Sequence, residues 1–447
     1  MDTEQLRDLD RRYVWHPFTR MDQWVADEPL VIKRAEGCWL IDTDGHRYLD
    51  GNSSLWVNVH GHRRAELDQA LRAQLEQVAH TTFLGLTSPA AAELAARLVA
   101  LAPPGLERVF FSESGASAVE VALKMAYAYW RFRGAPERSL FVSMDGAYHG
   151  DTVGSMSIGH IDAFHDAYQP LLFPTRTFAQ PYCYRCPLGR SYPSCDLACA
   201  DTLEDVLARD GDRVAAVVVE PLVQGAAGII TAPDGHLARV AEITRRHAVL
   251  LIADEVATGF GRTGTMLACA AERVAPDLLA LGKSLTGGYL PMSATLATAE
   301  IFEAFLGGQR TFFHGHSYSG NPLGAAVALA SLDLFEHDDT LARAQALGEA
   351  LAMELKAFED LTHVGDIRQR GLMAGIELVA DRETRAPFAA EAQVGARVCR
   401  RARDLGLVIR PLGDVIVVMP ALAMSPEELR FLASTLLHAV QDVTGTI

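Results

Sequence analysis

Two short apolar runs in this 447-residue chain each lead to a residue that could do chemistry. The run 249–253 ends at Asp254, and the run 278–281 is followed by Gly282 and Lys283. Buried parallel strands have this pattern when they deliver a polar side chain to their C-terminal edge. Because ligands bind at the C-terminal edge of a parallel sheet, we expect Asp254 and Lys283 to share one site.

An acid and a lysine in this arrangement favour pyridoxal phosphate chemistry. The lysine amine bonds to the cofactor aldehyde, and the carboxylate keeps the pyridine nitrogen protonated so that the ring accepts electrons. The small residues of segment 284–288, Ser-Leu-Thr-Gly-Gly, leave Lys283 room to move between cofactor and substrate. A lone strand-end Asp is often only a helix cap, and a lone Lys after Gly is usually a solvated turn residue. The prediction therefore depends on the pair.

The segments 254–264 (DEVATGFGRTG) and 281–288 (LGKSLTGG) resemble the class III aminotransferases of fold type I. Within that family, the chain is similar to the branch that aminates 8-amino-7-oxononanoate in biotin synthesis. The resemblance covers nearly the whole length, from Trp15 to Pro411. It implies an α/β fold with a mostly parallel sheet in a large cofactor-binding domain and a smaller α+β domain at the C-terminus. We expect an N-terminal segment over 1–60, the large domain over 61–325 and the small domain over 326–447.

Length and composition limit the classes of protein that need to be considered. Hydrophobic residues make up 49% and charged residues 21% of the chain, the ordinary balance of a soluble protein. A formal net charge of −16 argues against a nucleic-acid partner, because nucleic acids select basic surfaces. No apolar run reaches the length of a membrane span, and the first residues lack an apolar secretory core. We therefore expect a cytoplasmic protein without membrane or nucleic-acid partners.

Seven cysteines, an odd number, indicate reduced thiols rather than a disulfide framework. Four of them lie close together in the sequence, at Cys183, Cys186, Cys195 and Cys199. Their spacing could hold zinc or an iron–sulfur cluster. Only the first pair has tight ligand spacing, so the alternative is a surface insertion with incidental thiols. From the sequence alone we expect no metal.

A strand over 109–112, a small-residue turn and a helix through Tyr129 form a second candidate cofactor element. Free backbone N–H groups at the start of a helix bind phosphate. In the family, the step that corresponds to Gly115 and Ala116 binds the cofactor phosphate. Many members have Ser at the second position, and Ala keeps the backbone donor while losing a hydroxyl. Without the resemblance, a Ser-Gly turn is most often only a helix cap.

The resemblance implies further cofactor contacts. Tyr148 corresponds to the aromatic residue that stacks on the ring and borders the substrate, and Glu220 belongs to the polar network of the site. His316 and Ser317 occupy the two positions that bind the phosphate across a homodimer interface, where the biotin branch often has Pro-Thr. The alternative for Glu220 is a helix-capping role, and the alternative for 316–317 is an ordinary loop before a helix. For His149 we favour a structural hydrogen bond over a general base, because Lys283 fills that role.

Four positions are implied as substrate contacts, in addition to Tyr148 and Lys283: Phe18, Leu55, Gly315 and Arg410. Arg410 is the candidate clamp for a substrate carboxylate, because a guanidinium binds a carboxylate through two hydrogen bonds. Members that use S-adenosylmethionine as amino donor often have Tyr at the position of Phe18 and a second Trp at that of Leu55. These differences favour lysine as the donor and leave both donors open.

The implied activity is pyridoxal-phosphate-dependent transfer of an amino group from a small donor to a keto acceptor, with Lys283, Asp254 and Tyr148 as catalytic residues. In the biotin branch the acceptor is 8-amino-7-oxononanoate and the product is 7,8-diaminononanoate. Three alternatives remain open. They are a broad ω-aminotransferase for diamines or aryl amines, an aminomutase that returns the amino group to the same molecule, and a cofactor-binding protein without turnover.

Overall fold

The computed structural model describes residues 1–446 as an α/β protein. Its strands are β1 Ile32–Glu36, β2 Trp39–Asp42, β3 Arg47–Asp50, β4 Leu106–Ser112, β5 Leu140–Met144, β6 Thr175–Phe178, β7 Val214–Val219, β8 Val223–Gln224, β9 Ile230–Thr231, β10 Leu250–Asp254, β11 Leu278–Leu281, β12 Ser293–Thr298, β13 Val364–Arg370, β14 Met373–Leu378, β15 Leu407–Val408, β16 Arg410–Leu412 and β17 Val415–Val418.

The helical elements are α1 Thr3–Tyr13, α2 Met21–Trp24, α3 Ser53–Trp56, α4 Ala65–Leu75, α5 Pro89–Leu101, α6 Gly115–Phe132, α7 Val153–Ser157, α8 Asp162–His165, α9 Ala198–Asp210, α10 His236–Arg246, α11 Ala268–Ala271, α12 Ala299–Glu303, α13 Pro322–His337, α14 Thr340–Leu355, α15 Val394–Asp404 and α16 Pro426–Thr444. Short 3₁₀ turns lie at Asp166–Leu171, Gly211–Arg213, Lys283–Thr286, Lys356–Phe358 and Ala390–Ala392. The element α3 is a single turn of left-handed backbone rather than an ordinary helix.

A seven-stranded sheet with the order β4-β12-β11-β10-β7-β5-β6 forms the centre of the large domain. The neighbours from β11 to β6 pair in parallel, and β12 is antiparallel to both β11 and β4. Strands β7, β10 and β11 are buried at every position, because helices cover both faces of a parallel sheet. The mostly parallel α/β sheet expected from the sequence is thus confirmed.

Two four-stranded sheets lie outside the large sheet, with the orders β13-β14-β17-β16 and β1-β2-β3-β15. In the second sheet, β3 from the N-terminal segment pairs in parallel with β15 from the C-terminal region, Leu49 opposite Leu407. This pairing supports grouping the N-terminal segment with the small domain. The domain limits 1–60, 61–325 and 326–447 stay predictions.

Within residues 1–446, no helix combines the length and the hydropathy that crossing a membrane requires.

Candidate active site

Asp254 and Lys283 lie at the C-terminal edge of the central sheet, on neighbouring strands. Asp254 is the last residue of β10, and Lys283 opens a 3₁₀ turn two residues after β11 ends. The lysine has a φ of 40°, in the left-handed region, so the chain turns sharply as it leaves the strand. Both side chains line one cavity of about 420 Å³. The strand ends therefore bring an acid and an amine to the same space.

Asp254 is held by a buried histidine. One carboxylate oxygen lies 2.7 Å from His149 Nδ1, and the other accepts the backbone N–H of Val256 at 3.0 Å. Burial lowers the pKa of His149, but the hydrogen bond and charge of Asp254 outweigh it and raise the pKa above its ordinary value. The raised pKa favours the protonated imidazole, whose positive charge compensates the buried carboxylate. This contact supports a structural hydrogen bond as the role of His149.

The Lys283 amine is enclosed by an aromatic ring and two acids. Its Nζ lies 5.3 Å from the centre of the Trp56 ring. Burial lowers the pKa of Lys283, and the charges of Asp254 and Glu220 oppose that effect. An amine with a lowered pKa is more often neutral at physiological pH, which makes it a better nucleophile and proton acceptor.

A helix N-terminus opens into the same cavity. Ser114 caps the 18-residue helix α6, accepting the Ser117 N–H at 3.2 Å, and Gly115 and Ala116 line the cavity beside it. A Cβ on Gly115 would lie 2.5 Å from a methyl of Val256, so the position accepts no side chain. The bare backbone can thus be approached closely by an anion.

Tyr148 forms a wall of the cavity, and acids fix its orientation. Its hydroxyl donates to Asp151 at 2.8 Å, and its backbone N–H donates to Glu220 at 3.2 Å. The second oxygen of Glu220 accepts the N–H of Gly225 at 2.8 Å. Burial raises the pKa of Glu220 to about 7. Gln224 does not line this cavity; its amide braces the Asp145 carbonyl at 3.0 Å.

These features together fit pyridoxal phosphate. The cavity joins a phosphate-binding helix end, an amine for covalent attachment, an acid for the ring nitrogen and an aromatic residue for stacking. The residues that would hold the cofactor are Gly115, Ala116, Tyr148, Glu220, Asp254 and Lys283, as the sequence predicted; their individual roles stay predictions.

The turn that carries Leu55 and Trp56 is strained. All four residues of α3 have positive φ, from 42° to 70°, although none is glycine. Left-handed backbone costs about 1–2 kcal/mol per residue for an ordinary side chain. Trp56 is buried in the cavity wall, whereas Leu55 is 44% exposed. The strain therefore places the tryptophan ring over the lysine.

Arg262 compensates this strain, and sequence reasoning missed it. The side chain is fully buried and donates to Pro420 O at 2.6 Å, Asn58 O at 2.7 Å and Ser53 Oγ at 3.0 Å. Burial lowers the pKa of Arg262 to about 10, so the guanidinium keeps its charge at neutral pH. The one feature of the sequence that pointed to Arg262 was its position in the glycine-rich motif 259–264. Its structural role could not be predicted, because its hydrogen-bond partners lie far away in the sequence.

Phe18 and Arg410, two of the predicted substrate residues, do not line the cavity. Phe18 is 56% exposed and packs edge-on against Phe164, which in turn packs against Tyr148. Arg410 is half-buried on β16, and among the described residues its guanidinium has no hydrogen bond or ion pair. Burial lowers the pKa of Arg410, and Cys399 and, to a smaller extent, Tyr148 oppose this effect. A free guanidinium beside Tyr148 is available to an anionic ligand.

The loop with Gly315, His316 and Ser317 does not line the cavity of its own chain. His316 Nδ1 lies 3.2 Å from Glu113, and its Nε2 lies 3.2 Å from His314. Gly315 and Ser317 are exposed. Their contact with cofactor or substrate would require a second chain, so these roles stay predictions.

The class III aminotransferase family model matches residues 21–440. This chain belongs to that family. It is 53% identical to the adenosylmethionine-8-amino-7-oxononanoate aminotransferase of Geobacter sulfurreducens over 99% of both chains. The crystal structure of the Methanocaldococcus jannaschii protein of that name superposes with a TM-score of 0.94 at 40% identity, over 99% of both chains. An ω-transaminase from Thermomicrobium roseum superposes at 0.95 with 37% identity, again over 99% of both chains.

Membership of this family makes the chain a pyridoxal-phosphate-dependent aminotransferase of fold type I. The resemblance, the fold class, the enzyme class and the cofactor predicted from the sequence are all confirmed.

Replacing Arg262 by Met should destabilise the protein by about 3 kcal/mol, because two carbonyls and a hydroxyl would be left buried without a donor. Urea unfolding measures the change. Arg97→Met is the matched control: that arginine bridges Asp333 and Glu336 at the surface, and its loss should cost less than about 1 kcal/mol. Equal losses in the two variants would show that Arg262 does not hold the turn.

Glu220 should make the cofactor-free protein less stable as the pH rises. Its folded pKa of about 7 lies above its ordinary value of 4.5, so the folded state binds the proton more tightly. The free energy of unfolding should therefore be highest below pH 4.5 and should fall as the pH rises from 4.5 to about 7. The total loss should be at most about 3 kcal/mol.

Urea unfolding of wild type and Glu220→Gln between pH 5 and 8 measures this effect. The variant should lose less stability with rising pH than wild type. The exposed acid Glu359, changed to Gln, provides a control whose pH profile should follow that of wild type. Parallel profiles for wild type and Glu220→Gln would refute the assignment.

Proposed function

We propose that this chain converts 8-amino-7-oxononanoate to 7,8-diaminononanoate in biotin synthesis, as a cytoplasmic homodimer. The observation that carries the proposal is the end-to-end match to relatives of that name, at 53% identity in the Geobacter protein and 41% in the Methanocaldococcus protein. The match covers 99% of the chain, so the proposal rests on similarity along the whole length rather than on one motif.

Pyridoxal phosphate, when bound, supplies an electron sink for the carbon that gains or loses the amino group. The chain's own residues do the rest. Backbone N–H groups at Gly115 and Ala116 would bind the phosphate, and Tyr148 would cover the ring. Asp254, which is hydrogen-bonded to His149, would be the acid for the ring nitrogen. Lys283 Nζ takes the proton from the donor carbon and returns one to the acceptor carbon.

Arg410 is proposed to bind the acceptor carboxylate. Its guanidinium is half-buried next to Tyr148, and in the described part of the chain no acid pairs with it. A positively charged group left unpaired in a partly buried place favours an anionic ligand. The position beside Tyr148 would hold the acid end of the substrate while the keto end reaches Lys283.

A homodimer is supported by the exposed apolar residues near the loop 311–320. Leu84 is 89% exposed, Phe313 85% and Tyr318 59%. Large apolar side chains with this degree of exposure are typical of an interaction surface. In the proposed dimer, His316 and Ser317 of one chain contact the cofactor phosphate in the other, and Gly315 faces the substrate there.

Two amino donors fit the proposal. The printed names of the relatives specify adenosylmethionine. Phe18 and Leu55 instead favour lysine, since Leu55 has no aromatic face to stack on an adenine.

A broad ω-aminotransferase is the second candidate function. It is supported by the Thermomicrobium ω-transaminase, which superposes with a TM-score of 0.95, as closely as the Methanocaldococcus protein at 0.94. Since the backbone does not separate the two functions, which differ in donor and acceptor, a test must offer both sets of substrates.

The deciding assay mixes purified enzyme with 8-amino-7-oxononanoate and either adenosylmethionine or lysine, and measures diaminononanoate. One donor should give product at a rate well above that with aryl amines and a simple keto acid. Lys283→Ala should reduce turnover at least about 1,000-fold, since among residues 1–446 no other lysine lines the cavity. A wild-type rate in this variant would contradict the proposal. Activity with aryl amines and a simple keto acid, together with no formation of diaminononanoate, would also contradict it.

A further inference from the structure

Arg368, on β13, is a buried arginine that lies outside the active-site cavity and contacts its wall. Its Nη2 and Nε donate to the carbonyl of Gly228 at 2.6 and 3.0 Å, and Nε also donates to Ile229 O at 3.0 Å. The guanidinium therefore binds two neighbouring carbonyls of one turn. That turn is connected through Arg368 to the four-stranded sheet β13-β14-β17-β16, the small sheet.

The turn, residues 225–229, belongs to the cavity wall. Ala226 lines the cavity. Within the turn, Gly225 O accepts the N–H groups of the third and fourth residues after it, at 3.2 and 3.0 Å. The turn thus keeps its shape through its own hydrogen bonds, and Arg368 adds the connection to the small sheet.

A cluster of charged side chains holds Arg368 in place. Its Nη1 lies 2.8 Å from Asp366 and 2.7 Å from Glu377, which is buried on β14. The other oxygen of Glu377 accepts Arg185 Nε at 2.7 Å, and Tyr182 also donates to this carboxylate. Arg185 and Tyr182 come from the long irregular segment between β6 and α9. This segment completes the buried cluster, so the orientation of the guanidinium is fixed from both sides.

The small sheet also carries Arg410, on the same face as Arg368. Arg368 lies opposite Gly375, Gly375 opposite Val417, and Val417 opposite Arg410. Residues directly opposite each other in antiparallel strands point to one face of the sheet. The four residues therefore form one row across the sheet, with an arginine at each end. Three strand spacings, about 14 Å in total, separate the two arginines.

The turn packs on the middle of this row. A Cβ on Gly375 would lie 3.1 Å from Gly228 O and 3.2 Å from Ile229 Cβ, so sheet and turn meet where a side chain would push them apart. A second attachment lies just after β17, where Arg262 donates to Pro420 O at 2.6 Å. Two attachments on different strands fix the orientation of the small sheet relative to the cavity.

We propose that Arg368 is a positioning residue, which holds the small sheet where Arg410 can bind the carboxylate of the keto acceptor. The inference rests on the role proposed for Arg410. Arg368 does not line the cavity, so it acts through the sheet and not by touching the substrate. Without its contact to the turn the sheet can shift, and a shift of about 1 Å is enough to weaken an oriented contact. The acceptor carboxylate then binds less tightly, while the keto end still reaches Lys283.

The test measures the second half of the reaction with two acceptors. Enzyme in the pyridoxamine phosphate form is mixed rapidly with increasing concentrations of 8-amino-7-oxononanoate or of its methyl ester. The return of the visible cofactor band gives the limiting rate and the apparent dissociation constant. Wild type should bind the acid at least about tenfold more tightly than the ester, because only the acid has a carboxylate for Arg410. Arg410→Met should remove this preference.

Arg368→Met should weaken binding of the acid about fivefold to tenfold and leave the limiting rate and the affinity for the ester unchanged. In the Arg410→Met background it should add no further loss, because both changes act on one contact. Gly375→Ala keeps every charge and should show the same selective loss, so it replaces Arg368→Met if that variant does not fold. Arg370→Met is the matched control. It removes an arginine of the same strand that pairs with Asp234 at 2.8 Å, and it should bind both acceptors like wild type.

The outcomes separate this inference from the function on which it rests. Wild type without turnover of the acid would contradict the proposed function and the inference with it. Equal affinity of wild type for acid and ester would overturn the role of Arg410, and therefore that of Arg368. Wild-type selectivity in Arg368→Met and Gly375→Ala, with selectivity lost in Arg410→Met, would overturn the role of Arg368 alone. Equal losses for acid and ester in these two variants would show general damage to the cavity and would also overturn it.

Discussion

The buried hydrogen bond between His149 and Asp254 is the contact on which the active site depends. The two atoms lie 2.7 Å apart, and both side chains are almost fully buried. A lone carboxylate at that depth would take up a proton, because burial disfavours its charge. His149 and the Val256 N–H both contact this carboxylate at the strand end, and these two contacts compensate its negative charge. The electron-sink chemistry of the cofactor requires this anion.

The other side of the cavity depends on a turn whose backbone is strained and which Arg262 stabilises. Four left-handed residues hold Trp56 above Lys283, and Arg262 satisfies the backbone and hydroxyl groups that this turn leaves buried. The turn thereby gains a fixed geometry that its own residues would not adopt. Residues from the N-terminal segment, the motif 254–264 and the C-terminal region meet in this arrangement. The turn that carries Trp56 is therefore held in place by hydrogen bonds that join three distant parts of the chain.

The parts of the fold that could be predicted from the sequence are those in which a single pattern, such as a continuous apolar run, has one structural explanation. Strands β7, β10 and β11 are continuous apolar runs, and only burial on both faces explains such runs. Strand β12, Ser293–Thr298, was missed because its small polar residues mask its burial; Thr295 hydrogen-bonds to Ala118 O at 2.7 Å. Arg262 was missed because its partners lie more than 150 residues away, at Asn58 and Pro420. The roles of His316 and Ser317 depend on a second chain, which a single sequence or chain does not contain.

The most direct test of this account is the first half of the reaction in Asp254→Asn. Enzyme loaded with cofactor is mixed rapidly with the amino donor, without acceptor, and the loss of the visible cofactor band is followed. The variant should still bind cofactor through the helix end and Lys283, but react at least about a hundredfold more slowly than wild type. A half-reaction at the wild-type rate in Asp254→Asn would contradict the account.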